Sequence, residues 1–182
     1  MTSRREFLAY TGVGALAAAV VGPIAGKASA SEAPGGSGAP EPGNRPPYVP
    51  VRTLNGWTLP YVIKEGVKEF HLVAEEIEHE FAPGSRAKCW GYNGSTPGPM
   101  IETVEGDHIR ILVTNRLPEH TTIHWHGILL PSGMDGVGGL SQPQIKPGET
   151  FAYEFTLQQH GTHMYHPHAD EMVQLAVGMR AV

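Results

Sequence analysis

Two His-x-His motifs carry the chemistry this chain could do: His124-Trp125-His126 and His166-Pro167-His168. Each lies in a stretch that reads as β-strand, and on a strand residues two apart project from the same face. Each motif therefore aims two imidazoles into one space. Neutral imidazole suits copper, zinc, iron and nickel, and four converging rings exceed what packing requires. Unconnected surface or hydrogen-bonded histidines would account for one such motif better than for two. No third His-x-His and no His-Cys-His follows. The four histidines read as half of a metal site.

The flanks fit this reading. Ile123 and Trp125 have the opposite parity to His124 and His126, so they face a core and anchor the strand. Gly127 lets another group approach the backbone closely. In the second motif Tyr165 turns away from the histidines. Pro167 removes a ladder donor, which places that strand at an edge or beside a cleft. The remaining histidines have no such spacing. His71, His79, His108 and His120 read as solvated or capping residues, His160 as a loop residue, and His163 as pointing away with Tyr165. Cys89 is the only cysteine. Alone it forms neither an internal disulfide nor a thiolate cluster, and it reads as a small buried apolar residue.

Strands must position these motifs. Lys68 to Phe81 alternates with Phe70, Leu72 and Ala74 on one face. Arg86 to Tyr92 is a short strand ending at the turn signal Asn93-Gly94. Asp107 to Asn115 points Ile109, Ile111 and Val113 one way, His108 and Arg110 the other. Thr121 to Leu130, Thr150 to Leu157 and Gly161 to His168 complete the set, with Phe151, Tyr153, Phe155 and Leu157 sharing a face. No segment from 48 to 170 holds a helical period over a dozen residues. Asp170 to Met179 reads as a turn of helix. Short strands separated by Gly/Pro turns predict an all-β sandwich or barrel, and no internal repeat is present.

The 182 residues suffice for one domain with appendages. Net charge is −5 and no basic stripe exists, which argues against a nucleic-acid partner. Ser3-Arg4-Arg5-Glu6-Phe7-Leu8 has the twin-arginine form, and a weakly apolar run from Ala9 to Gly26 leads to Ala28-Ser29-Ala30. Residues 1–30 are therefore read as an export signal cleaved after Ala30. An uncleaved anchor is disfavoured by the Gly/Ala content of the run. Ser31 to Pro47 is rich in Pro, Gly, Ser and Ala and reads as a disordered linker. The globular domain occupies 48–182. Export places it in the periplasm or outside the cell, with no membrane attachment after cleavage.

Within that domain the motifs resemble the N-terminal cupredoxin domain of a multicopper oxidase of the laccase-like kind. The residues that carry the resemblance are His124-Trp125-His126-Gly127 and Tyr165-His166-Pro167-His168. Asn93-Gly94-Ser95-Thr96-Pro97-Gly98-Pro99, Met134-Asp135-Gly136, Ser141-Gln142-Pro143 and Ile145-Lys146-Pro147-Gly148 support it. The resemblance implies a cupredoxin-like Greek-key β-sandwich. It also implies that His124 binds a type 2 copper, and that His126, His166 and His168 bind type 3 coppers, in a cluster that reduces dioxygen to water. It further implies that Asp135 assists proton delivery. The alternative for Asp135 is a turn residue.

The departures from the family are also informative. The family's cluster uses eight histidines, four from a last domain. Its electron-accepting copper uses a Cys flanked by histidines, which Cys89 is not. The family continues past Gly178-Met179 into a strand that closes the domain, whereas here the sequence stops at Arg180-Ala181-Val182. The expectation is a fragment lacking its last strand, with an unpaired sheet edge and low stability in isolation. A C-terminal cupredoxin domain or a partner chain would then supply the missing ligands. The competing readings are an exported copper-binding module without turnover and an inactive fragment.

Overall fold

Alternation of apolar residues builds the larger of two sheets. The computed structural model describes residues 48–53 and 56–182. The expected export signal over 1–30 and linker over 31–47 lie outside the described residues. Strand β2 (Val67–Ala82) is the spine. Its first half pairs antiparallel with β1 (Tyr61–Lys64) and parallel with β4 (His108–Asn115), Lys68 opposite Ile109 and Ala74 opposite Asn115. Its second half pairs antiparallel with β3 (Ser85–Tyr92), and β6 (Thr150–Thr156) pairs antiparallel with β4 on the far side. A parallel pair needs a long crossover, which β3 and residues 93–107 provide. Phe70, Leu72 and Ala74 on β2, Ile109, Ile111 and Val113 on β4, and Tyr153 and Phe155 on β6 are all buried on one face.

The second sheet has two strands, β5 (His124–His126) and β7 (Met164–His166), paired antiparallel. It lies face to face with the first. The Trp125 ring stands 5.3 Å from Tyr153 and 5.8 Å from Tyr165. The Ile123 N–H donates to the Tyr153 hydroxyl at 2.9 Å. Ile123, Trp125 and Tyr165 join the common core, as their parity required. Among the described residues the two sheets form a sandwich, which decides the sandwich-or-barrel alternative.

Local chemistry shortens some expected strands. The stretch from Thr121 to Leu130 keeps only His124–His126 as strand, because Gly127 turns the chain at φ 79°. Gly161 to His168 likewise contracts to Met164–His166. The short helix α1 (Glu171–Ala176) falls inside the stretch read as a helical turn. Beyond it, Tyr165 and Ala181 exchange both backbone hydrogen bonds, at 2.9 and 3.0 Å. β7 is thereby flanked on both sides. No described helix is long and apolar enough to cross a membrane.

Candidate metal centre

Pairing of β5 with β7 brings the two His-x-His motifs together. His124 stands opposite His166, and His126 opposite Met164. Directly opposed residues share a face, so the histidines of both strands project to the side away from Trp125 and Tyr165. The His124 ring centroid lies 5.5, 5.3 and 4.5 Å from those of His126, His166 and His168. His126 and His166 lie 5.4 Å apart. One ligand nitrogen from each of His124, His166 and His168 lies within 4.8 Å of the others. His126 joins through Nδ1, which is 3.2 Å from Nε2 of His166. His168 follows Pro167 off the strand. It is held near the cluster by its backbone N–H, which donates to Thr122 Oγ1 at 3.2 Å.

The rings are also held from behind. Nδ1 of His124 donates to the Asp135 carbonyl at 2.7 Å, which leaves its Nε2 directed into the cluster. The Asp135 carboxylate lies 3.3 Å from the same Nδ1. Asp135 caps the 3-10 turn Ser132–Met134. Gly136 has φ 84°, and a Cβ there would overlap the Ile123 carbonyl, so only glycine lets this turn press against β5. On the other side, Glu171 at the start of α1 faces both later histidines. Its Oε1 is 3.7 Å from His166 Nδ1, and its Oε2 is 3.8 Å from His168 Nδ1. Gln174 fixes α1 from a fully buried position: it accepts from Thr121 Oγ1 at 2.7 Å and donates to the His120 carbonyl at 2.9 Å.

Electrostatics favour a neutral ring at His168. Burial holds the His168 imidazole below its ordinary value, and the neighbouring His124 acts in the same direction. A neutral ring keeps a lone pair for a metal. The other histidines stay apart from the cluster. His108 bonds Thr156 and Glu154, His71 bonds Thr114, and His160 lies beside Glu105. His163 sits near Gln159 at 3.4 Å. Cys89 is buried on β3 opposite Ile77.

Sequence reasoning selected His124, His126, His166, His168 and Asp135, and all five meet here. It missed Glu171. The only signal was an acid within three residues of His168, which is common without any role.

The donor set fits a first-row ion. Two nitrogens bound to one such ion at about 2.0–2.1 Å stand roughly 2.9–3.3 Å apart between right-angled and tetrahedral geometry. His126 Nδ1 and His166 Nε2 meet that spacing. Four imidazoles without a thiolate are compatible with copper, one of the ions that imidazole binds.

The family model described as multicopper oxidase matches residues 74–182. Copper resistance protein A of Pseudomonas syringae pv. tomato is 47% identical over 94 residues, covering 52% of this chain and 15% of that protein. Copper resistance protein A of Escherichia coli is 50% identical over 86 residues, covering 47% of this chain and 14% of that protein. The chain thus aligns with only about a seventh of the length of these curated relatives. Among solved structures, a multi-copper oxidase from Pseudomonas thermotolerans superposes with a TM-score of 0.60 at 42% identity, covering 62% of this chain and 27% of that one.

Proposed function

The chain belongs to the multicopper oxidase family and has its all-β cupredoxin fold, and on that premise we propose that it contributes half of the type 2/type 3 copper cluster at which dioxygen is reduced to water. His124 would hold the type 2 copper, and His126, His166 and His168 the type 3 coppers. Bound copper would supply the one-electron steps that dioxygen reduction needs and that side chains cannot provide. The observation that carries the reading is the approach of His126 Nδ1 to His166 Nε2 at 3.2 Å, inside a group of four rings on and just beyond two paired strands.

The chain's own residues then have defined tasks. Ile123, Trp125 and Tyr165 lock the two strands to the core, so the rings are held before a metal arrives. The Tyr165 hydroxyl donates to the Pro99 carbonyl at 2.6 Å and pins β7 from below. The Asp135 carbonyl orients His124. Its carboxylate, part-exposed beside the same ring, can take a proton from solvent and pass it inward. The other ligands and the electron-accepting copper would come from a C-terminal cupredoxin domain or a partner chain. The twin-arginine signal over residues 1–30 would carry the protein to the periplasm or beyond.

Copper content after loading and dialysis tests the site. The unaltered chain should retain copper. His126→Ala and His166→Ala should each weaken retention by more than the roughly 10–100-fold typical of losing an outer partner. Retention that is unchanged in both variants, or reduced equally by His79→Ala on β2, sinks the reading.

A further inference from the structure

The Nδ1 atoms of the four histidines have different partners, and the difference isolates one side chain. His124 gives its Nδ1–H to a main-chain carbonyl, and His126 turns Nδ1 into the cluster. His166 and His168 both turn Nδ1 toward Glu171, one carboxylate oxygen to each, at 3.7 and 3.8 Å. The His166 Nδ1–H donates to the Pro167 carbonyl at 3.0 Å, with the Glu171 carboxylate beyond it. For His168, the Glu171 carboxylate faces Nδ1 at 3.8 Å, an electrostatic approach longer than a hydrogen bond.

Resting on the copper reading above, we infer that Glu171 is a positioning residue for the metal. Its charge favours the Nδ1–H tautomer of His168 and reinforces the one the Pro167 carbonyl fixes in His166, so that both Nε2 lone pairs face the ion. Its negative charge strengthens both ligands at once. The fold prepares this placement. Asp170 adopts a left-handed conformation at φ 43°, which turns the chain so that the first residue of α1 faces back toward the two histidines. Gln174, buried and bonded at both ends of its amide, holds that turn against the strand leading into β5. The carboxylate itself remains part-exposed, so its charge stays solvated while no metal is bound.

The test measures Cu(II) affinity of the 182-residue chain by competition with a chelator. The paramagnetic resonance spectrum of the bound ion and the melting temperature of the metal-free chain are recorded alongside. Glu171→Gln keeps the size and removes the charge. Affinity should fall by about 10- to 100-fold, the copper spectrum should shift, and the metal-free melting temperature should stay unchanged. Glu119→Gln, an exposed carboxylate on another loop, should change none of the three.

Glu171→Gln that binds copper as tightly as the unaltered chain, with the same spectrum, overturns the inference. Equal losses in both variants also overturn it. If Glu171→Gln melts lower, Glu171→Asp decides: a carboxylate that restores affinity supports the inference, and one that does not overturns it. An unaltered chain that binds no copper sinks the copper reading itself. A chain that binds, with Glu171→Gln indistinguishable from it, sinks only the role of Glu171.

Discussion

His124 owes its orientation to the Asp135 carbonyl, and that carbonyl reaches it because residue 136 is glycine. A side chain at 136 would have to adopt φ 84° and also displace the Ile123 carbonyl. The backbone conformation alone costs about 1–3 kcal/mol for a non-glycine residue. At this chain length each kcal/mol lowers the melting temperature by roughly 2–4 °C. Gly136→Ala should therefore melt several degrees lower and retain less copper, because the carbonyl that orients His124 moves with the turn. Asp135→Ala keeps that carbonyl and should change stability by no more than about 0.5 kcal/mol, with copper retention near that of the unaltered chain. Paired melting curves and metal analysis separate the main-chain role of residue 135 from its side-chain role. If Asp135→Ala loses copper as badly as Gly136→Ala, the carboxylate and not the carbonyl orients the ring.

The large sheet, against which the two site strands pack, is tied together on its solvent face. Arg110 on β4 donates to Glu69 on β2 at 3.0 Å and to Glu154 on β6 at 2.6 Å. Its guanidinium holds both carboxyls below their ordinary range, with His108 acting on Glu154 as well. A depressed carboxylate contributes stability above its unfolded value, near 4.3 for Glu, and loses it as pH falls through the lower folded value. Arg110→Gln should therefore lower the melting temperature at pH 6–7 and make little difference at pH 3, so that the two melting curves converge in acid. Curves that stay parallel from pH 7 to pH 3 would show that the triad contributes nothing through charge. The faces of these strands are legible from residue types, because one side of the sheet is apolar and the other polar along β2, β4 and β6. β1 is not legible: all four residues of Tyr61–Lys64 are exposed, so burial imposes no alternation. His124, His126 and His166 are legible because strand parity is rigid, whereas His168 lies past the end of β7 and is placed by its bond to Thr122. Glu171 is not legible, because its approach depends on the left-handed turn at Asp170, which residue types between His168 and Glu171 do not announce.

At the scale of the whole molecule, the proposed copper cluster would need a second wall. His166 is buried, His124 and His168 are part-buried, and His126 is exposed, so the rings open toward solvent on one side. In the proposed cluster, four imidazoles shared among several coppers would leave each ion short of the ligands it prefers, and solvent would fill the remaining positions. Electrons also need a way in. Cys89 lies buried on β3 with Ile77 opposite, and no histidine stands at the paired position. A copper–thiolate centre of the kind that accepts electrons in this family therefore lacks its ligand set among the described residues. The chain loaded with copper alone should give no intense copper–thiolate absorption in the visible. With a chemical reductant it should not carry out four-electron reduction of dioxygen to water, and any oxygen it consumes should appear as hydrogen peroxide. Oxygen-electrode traces with and without catalase distinguish the two, because catalase returns oxygen only where peroxide has formed. Uptake unaffected by catalase, at a rate abolished by His126→Ala, would mean that the open face needs no second wall and that these four histidines complete a working site by themselves.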